Sequence, residues 1–122
     1  MTRKVLVCDD SALARRALRR ILEPEGFEVV EAEDGLIALE RYVLDRPDVV
    51  LLDLVMKGMY GLDVLTKLRE IDPAARVIVI SADIQTSSRD MVTAAGASGF
   101  LTKPAKAEDV LSAVAQALGK NQ

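Results

Sequence analysis

The residues able to do chemistry stand directly after short apolar segments of the chain. Asp9 and Asp10 follow KVLVC, Asp53 follows VVLL, Ser81 ends RVIVIS and Lys103 follows GFLT. An ionised carboxylate in a dry interior costs several kcal/mol unless a partner neutralises it, so Asp53 is predicted either to face solvent or to belong to a site. Each of these residues alone has an ordinary explanation, as a helix entry, a turn hydroxyl or a surface lysine. Together, three carboxylates, one hydroxyl and one ammonium favour a shared site.

The available side chains restrict the chemistry of such a site. The chain has no histidine and a single cysteine, Cys8, which removes the commonest general base and any disulfide within the chain. Three neighbouring carboxylates repel one another unless a cation lies among them, and oxygen ligands favour a hard cation, Mg²⁺ before Ca²⁺. An aspartate oxygen can attack phosphorus to form an acyl phosphate, which a metal ion, Lys103 and Ser81 would neutralise and orient. The residues therefore favour phosphoryl chemistry at Asp53.

Short apolar segments alternate with longer amphipathic ones, which is typical of βαβ units with a parallel sheet. In such a sheet, ligands gather beyond the carboxyl ends of the strands, where the polar residues above fall. The predicted strands are Lys4 to Cys8, Phe27 to Ala32, Asp48 to Leu52, Arg76 to Ser81, and Gly99 to Thr102. The predicted helices run from the N-cap Ser11 to Leu22, then from Leu36 to Leu44, Leu62 to Ile71, Ser87 to Ala95, and Lys106 to Leu118.

Length and charge exclude several classes of protein. The 122 residues, half of them apolar, predict one domain over residues 1–122 with a real core. Sixteen basic and nineteen acidic residues give a net charge of -3, so direct binding to nucleic acid is not expected. The N-terminal MTRKVLVCDD fits neither a signal peptide nor a membrane span, which predicts a cytoplasmic protein without membrane contact.

Four motifs, taken together in their order and spacing, resemble one known family. CDDS after the first strand, VVLLDLVM with MYG after the third, ISAD after the fourth, and GASGFLTKP around the fifth resemble the receiver domains of two-component response regulators. The resemblance covers essentially the whole chain. It implies an α/β fold with five helices and a five-stranded parallel sheet in the flavodoxin-like, doubly wound order 2-1-3-4-5, as in single-domain chemotaxis receivers.

The resemblance also implies a role for each site residue. Asp53 matches the phosphorylated aspartate, Lys103 the lysine that pairs with the phosphoryl group, and Ser81 the switch hydroxyl. The remaining matches are the metal-binding acids Asp9 and Asp10, the main-chain carbonyl of Val55 in the metal shell, the aromatic switch position Phe100, and a cis peptide at Lys103-Pro104. This chain departs from the commonest pattern at Lys57 and Tyr60, where Pro and Asp are frequent, and at Phe100, which lacks the hydroxyl of tyrosine.

The implied function is a phosphorylation-activated signalling switch that requires Mg²⁺. It is not an enzyme in the usual sense, although it assists its own phosphoryl transfer and dephosphorylation. The donor would be a sensor histidine kinase or a phosphotransfer protein, and an unknown downstream protein would read the face made by the fourth helix, fifth strand and fifth helix. By the same resemblance, Val55 and Asp83 would flank the path of the water that hydrolyses the acyl phosphate.

The first helix carries a basic stripe, which is either a solvated face or a docking surface for the kinase. The stripe consists of Arg15, Arg16, Arg19 and Arg20, and all four are predicted to be exposed.

Three other functions remain as alternatives to the switch. A haloacid-dehalogenase-like phosphatase also has an aspartate after an apolar strand, but it needs a second acid two residues later, where this chain has Val55. A flavodoxin-like flavin carrier needs hydroxyls and glycines after the first strand, where this chain has Asp9 and Asp10. The third alternative is a receiver-like interaction module that works without phosphorylation, and the complete set of acids, hydroxyl and lysine argues against it.

Overall fold

The computed structural model describes residues 2–82 and 86–119. Its centre is a five-stranded sheet in which every neighbouring pair of strands is parallel, in the order β2-β1-β3-β4-β5. The predicted fold class and strand order are confirmed. The strands are β1 (Lys4–Cys8), β2 (Glu28–Ala32), β3 (Val49–Leu52), β4 (Val77–Ser81) and β5 (Gly99–Thr102).

Five helices cover the two faces of the sheet. They are α1 (Ala12–Leu22), α2 (Gly35–Asp45), α3 (Gly61–Ile71), α4 (Thr86–Ala94) and α5 (Ala107–Leu118). Side chains of α2, α3 and α4 pack in one apolar core and those of α1 and α5 in a second. Within the described residues, no helix combines the length and the apolar character needed to cross a membrane.

Strand β3, which directly precedes Asp53, is buried on both faces of the sheet. All four of its residues are buried, with Val50 and Leu52 in the core beneath α2 and α3, and Val49 and Leu51 in the core beneath α1 and α5. Side chains of a strand alternate between the two faces of a sheet, so a strand covered on both sides must be apolar throughout. The polar sequence resumes only where β3 leaves the sheet, at Asp53.

The element boundaries differ from the predictions by about one residue. Strands β1 and β5 were predicted correctly, whereas β2, β3 and β4 each begin one residue later than predicted. The predicted N-cap Ser11 is confirmed, since its side chain accepts a hydrogen bond from the Ala14 amide at 3.2 Å. Helix α2 begins at Gly35, one residue before the predicted Leu36, because the Asp34 side chain caps the helix there.

The end of α1 contains an element that the sequence did not predict. A 3₁₀ turn over Glu23–Glu25 follows α1 directly, with Pro24 inside it. Gly26 ends this turn with a φ of 91°, a left-handed conformation that glycine adopts without the steric penalty of a Cβ atom. The chain then reverses into β2, which positions that strand beside β1.

Candidate functional site

Three carboxylates converge at the carboxyl edge of the sheet. Asp9, Asp10 and Asp53 each contribute an oxygen, and these oxygens lie within 4.8 Å of one another. The convergence follows from the topology, because β1 and β3 are neighbours and Cys8 is in register with Leu52. Asp9 and Asp53 are 2% and 8% exposed, whereas Asp10 faces solvent. The sequence prediction that these acids meet at one edge agrees with this geometry.

The ammonium group of Lys103 lies between two of these carboxylates. Its Nζ donates to Asp9 Oδ2 at 2.7 Å and to Asp53 Oδ2 at 3.3 Å. A hydrogen bond from its amide to the Ser81 carbonyl at 2.8 Å holds the main chain of the lysine beside β4, and the peptide bond to Pro104 is cis. The predicted cis peptide is therefore present. One cation thus pairs with two acids that follow two other strands, β1 and β3.

The charges of this cluster shift the pKa values of its members. Burial raises the pKa of Asp53, and the nearby charge of Asp9 adds to this effect, although Lys103 opposes it. Partial burial acts against the charged form of Lys103, but its hydrogen bond to Asp9 and the charges of both acids outweigh that effect and raise the pKa of the lysine. Lys103 therefore stays protonated, and Asp53 carries a charge that its surroundings only partly compensate.

Main-chain hydrogen bonds fix the two buried acids at the ends of neighbouring strands. The Asp9 amide donates to the Ala32 carbonyl on β2 at 3.1 Å, and the Asp53 amide donates to the Cys8 carbonyl on β1 at 3.0 Å. Asp9 Oδ1 also accepts from the Ser11 amide at 2.9 Å, at the start of α1. Both carboxylates are consequently attached to the rigid sheet, and neither depends on a long mobile side chain.

The loop after β3 depends on a glycine. A Cβ atom on Gly61 would lie 2.5 Å from the Asp53 carbonyl oxygen and 2.5 Å from Leu54 Cα, so a larger residue would push the main chain of the acid out of position. The Gly61 amide also donates to the Leu54 carbonyl at 2.7 Å. Sequence analysis noted MYG only as a motif and gave this glycine no role. A close backbone approach of this kind explains why glycine stands here.

Val55 lies at the mouth of the site. Its amide is 3.4 Å from Asp53 Oδ1, and its side chain is 65% exposed. An apolar group so exposed makes little contribution to the core. Asp83, the other residue predicted to flank the path of water, lies outside the described residues.

The two predicted switch residues lie on neighbouring strands. Ser81 ends β4 and is buried, while Phe100 lies on β5 and is half-buried. The guanidinium carbon of Arg89, on α4, lies 5.0 Å from the centre of the Phe100 ring, within the range of a cation–π interaction. Sequence analysis did not identify Arg89, because residues on separate elements leave no local pattern that would pair them.

The prediction of four exposed arginines on α1 was wrong for two of them. Arg15 and Arg19 donate to the two carboxylate oxygens of Glu31 at 2.7 Å and 2.8 Å, and the Arg15 side chain is only 14% exposed. Glu31 belongs to β2, against which this side of α1 packs, so its charge attracts these two arginines. Only Arg16 and Arg20 point into solvent.

Cys8, the single cysteine of the chain, does not take part in the chemistry of these acids. It is buried at the end of β1, and burial raises the pKa of its thiol far above the ordinary value. The thiol therefore stays protonated and packs as a small apolar group.

The donors at this edge fit a hard divalent cation. The ligand atoms that Asp9, Asp10 and Asp53 offer are carboxylate oxygens, the hard type of ligand that Mg²⁺ and Ca²⁺ prefer. One ammonium balances only one of the three negative charges, so a further cation would be attracted. The acidic edge is therefore able to hold such an ion between Asp9, Asp10 and Asp53.

Comparison with known proteins agrees with this geometry. The family model described as "Response regulator receiver domain" matches residues 5–115. The chemotaxis protein CheY of Bacillus subtilis (strain 168) is 40% identical over 119 residues, which make up 97% of this chain and 99% of the relative. A CheY-like receiver domain from Methanospirillum hungatei JF-1 superposes with a TM-score of 0.94, covering 98% of this chain and 96% of the other at 23% identity, and supports the fold alone.

A second solved structure is similar in sequence as well as in fold. It is the CheX-CheY-BeF3-Mg²⁺ complex from Borrelia burgdorferi, with a TM-score of 0.89 and 34% identity over 93% of this chain and 87% of the other. Receiver domains are signalling domains that respond to phosphorylation in two-component systems, and they are not enzymes of the usual kind. The family model and the extent of these similarities establish that this chain belongs to the response regulator receiver domain family.

Proposed function

We propose that residues 1–122 form a single receiver that accepts a phosphoryl group on Asp53 from a histidine kinase or a phosphotransfer protein in the cytoplasm. The observation that carries this proposal is the acidic edge itself. Asp53 is buried, has a carboxylate oxygen within 4.8 Å of those of Asp9 and Asp10, and shares the Lys103 ammonium with Asp9. Such an arrangement is costly for folding and is typical of residues kept for chemistry.

The metal ion in this proposal is Mg²⁺. Asp9, Asp10 and Asp53 would hold it, and the family pattern adds the main-chain carbonyl of Val55. When bound, the ion would neutralise negative charge that develops on the phosphoryl oxygens. The Borrelia burgdorferi complex contains both Mg²⁺ and BeF3 together with a CheY, which supports the choice of cation for this chain.

The transfer step needs one bond made and one bond broken. A carboxylate oxygen of Asp53 attacks the phosphorus, the bond from phosphorus to the donor's imidazole nitrogen breaks, and the electron pair stays on the imidazole. Lys103 starts nearer to Asp9, at 2.7 Å, than to Asp53, at 3.3 Å. Its ammonium is therefore within reach of a phosphoryl group on Asp53 after a small movement. Hydrolysis then returns the free carboxylate and inorganic phosphate.

The signal would be a change at the face formed by α4, β5 and α5. A phosphoryl group on Asp53 would attract the Ser81 hydroxyl, and Phe100 would turn into the space released. For this movement Phe100 must leave its contact with Arg89, so that arginine would take part in setting the resting state. A bias of about 1.4 kcal/mol changes a two-state ratio tenfold, so a single such contact has a measurable effect.

The surface that receives the phosphoryl donor would be the exposed side of α1. Arg16 and Arg20 are free to meet an acidic partner, and Leu13 is 74% exposed beside the acids. A cavity of about 460 Å³ between α1 and the segment after β5 adds an apolar surface next to Lys103. Its lining includes Ala14, Ala17, Leu18, Ile21 and Ala105.

Charge reversal tests this docking surface. The Arg16→Glu, Arg20→Glu variant should lower the rate of transfer from the kinase by about tenfold and leave labelling by acetyl phosphate unchanged, because a small donor needs no docking. Lys67→Glu, an exposed change on α3, serves as the control. Equal slowing with both donors would contradict docking on α1.

Binding of beryllofluoride tests the whole proposal against the interaction module. The switch requires saturable binding that depends on Mg²⁺ and disappears in Asp53→Asn, followed by fluorine NMR of the bound species. A pull-down with loaded and free protein would then identify the partner of the α4-β5-α5 face. A protein that captures the same partners in both forms and binds no beryllofluoride would be the interaction module.

A further inference from the structure

The guanidinium group of Arg15 connects a metal-binding acid to strand β2. Its Nη1 donates to the Asp9 main-chain carbonyl at 2.6 Å, and its Nε donates to Glu31 Oε1 at 2.7 Å. The side chain is 14% exposed, so little water competes for these bonds. Its two bonds go to Glu31 and to the Asp9 main chain, so Arg15 contacts the site through a peptide carbonyl.

The carbonyl that Arg15 holds belongs to the peptide bond between the two acids. This peptide is planar, so fixing the Asp9 carbonyl also fixes the direction of the Asp10 amide and the path of the chain beyond it. The Asp9 amide is attached to β2 through the Ala32 carbonyl at 3.1 Å. Both polar groups of the Asp9 main chain are thus tied to β2, one directly and the other through Arg15 and Glu31.

We propose that Arg15, held by Glu31, is a positioning residue for the metal site. It keeps the Asp9-Asp10 peptide in the orientation that turns both carboxylates towards the cation. The inference rests on the proposed function, because positioning matters only if the acids bind a metal ion. Groups that orient metal ligands from behind commonly control affinity without touching the ion.

The sign of the effect separates positioning from simple electrostatics. The positive charge of Arg15 lies close to the acids and repels a divalent cation, so its removal by itself would strengthen metal binding. Loss of positioning acts in the opposite direction, because misplaced carboxylates bind the ion less well. A weaker affinity after removal of the arginine therefore cannot result from the lost charge.

Arg19 is the matched control on the same helix. Arg19 also donates to Glu31, with Nε 2.8 Å from Oε2. Its main-chain contact, however, is to the Val29 carbonyl at 3.4 Å and not to Asp9. Arg19→Gln therefore removes an equal charge and the ion pair with Glu31, together with a further pair to Glu23 on the helix surface, without releasing Asp9. A loss that appears in Arg15→Gln but not in Arg19→Gln isolates the contact with the carbonyl.

Isothermal titration of the whole chain with MgCl2 is the experiment. Arg15→Gln should raise the dissociation constant for Mg²⁺ on the order of tenfold, whereas Arg19→Gln should leave it within about twofold of the wild type. The melting temperature without metal should fall similarly in both variants, which separates the metal effect from a general loss of stability. The amide resonance of Asp10 should shift in Arg15→Gln and stay in place in Arg19→Gln.

A double-mutant cycle with Glu31→Gln tests whether the two residues act together. If Glu31 works through Arg15, the double variant should bind Mg²⁺ no more weakly than Arg15→Gln alone. Equal or tighter Mg²⁺ binding by Arg15→Gln, or additive losses in the cycle, would overturn the inference and leave the proposed function intact. Failure of the wild-type chain to bind Mg²⁺ would instead overturn the proposed function, and the inference with it.

Discussion

The two edges of the sheet treat their acidic residues differently. At the amino edge, each of two acids has its own donor, since Asp48 Oδ2 accepts from the Lys4 amide and Asp72 Oδ2 accepts from the Tyr42 hydroxyl, both at 2.7 Å. At the carboxyl edge, three carboxylates have oxygens within 4.8 Å of one another, and two of them, Asp9 and Asp53, share the ammonium of Lys103. Asp48 and Asp72 at the amino edge thus each have a hydrogen-bond donor of their own, whereas the acids at the carboxyl edge are crowded.

This difference separates structural acids from acids kept for chemistry. A paired acid stabilises the fold, and its loss costs a hydrogen bond. A crowded acid opposes folding through repulsion and burial, so its retention needs another reason, such as a ligand that compensates the charge. Substitutions at the two edges should therefore change stability and function in opposite ways.

The largest expected effect comes from Asp53→Asn. This variant should lose all labelling by acetyl phosphate, because an amide oxygen is a poor nucleophile. The folded state raises the pKa of Asp53, so above that pKa the ionised group lowers stability, and the neutral amide should raise the melting temperature by a few degrees at neutral pH. The melting temperatures of this variant and of the exposed Asp63→Asn control, taken from thermal unfolding, test the predicted gain in stability. A lower melting temperature for Asp53→Asn would contradict the proposed cost of crowding.

Asp10→Asn and Asp9→Asn should weaken the site without removing the acceptor. Each lowers the negative charge around the cation, so the dissociation constant for Mg²⁺ should rise about tenfold and labelling by acetyl phosphate should slow. Titration calorimetry with Asp63→Asn as the control measures this. Unchanged Mg²⁺ affinity in both variants would show that the crowded acids are not metal ligands.

Val55→Asn should change how long the phosphorylated state lasts. The valine can only exclude water, whereas an amide can orient the water that attacks phosphorus, so the lifetime should shorten several-fold, equivalent to about 1 kcal/mol in the barrier. Phosphate release from labelled protein with Mg²⁺ present and the donor removed measures it. Val43→Asn, exposed near the amino edge, should leave the lifetime unchanged. An equal or longer lifetime in Val55→Asn would mean that this side chain does not control access to the phosphorus.

The smallest expected effect comes from Tyr42→Phe at the amino edge, which should cost about 1 kcal/mol of unfolding free energy and leave Mg²⁺ binding unchanged. The Tyr42 hydroxyl lowers the pKa of Asp72, so this contribution is present above the ordinary pKa of aspartate and is lost as the pH falls through the lowered pKa. Urea denaturation at neutral and acidic pH, with Tyr60→Phe as the control, measures both. If Tyr42→Phe impairs Mg²⁺ binding as much as Asp10→Asn does, the proposed difference between the two edges of the sheet is wrong.

Much of the fold and of the site's composition was predictable from local patterns. A strand buried on both faces needs a continuous apolar run, and the strands of a parallel sheet all end at one edge, so VVLL followed by Asp53 already implied where the acid would lie. The strand order came from the family resemblance and is confirmed by the pairing of β1 with both β2 and β3.

The contacts that the sequence did not reveal join residues from separate elements. Arg15 and Arg16 are adjacent and chemically identical, yet only Arg15 faces Glu31, because the packing of α1 against β2 decides which side of the helix meets that acid. Arg89 and Phe100 meet only once α4 lies beside β5. No periodicity in the sequence encodes either pair. An arginine on a helix surface is therefore predicted to be solvated until the fold is known.

The central claim is that Asp53 itself receives the phosphoryl group. Incubation of the wild-type chain with acetyl phosphate and Mg²⁺, reduction with borohydride, and peptide mass spectrometry test this directly, because borohydride converts an aspartyl phosphate to homoserine. The account predicts conversion at Asp53 alone, dependent on Mg²⁺ and absent when Mg²⁺ is chelated. Conversion at Asp9 or Asp10, or no conversion at Asp53 in protein that binds Mg²⁺, would contradict it.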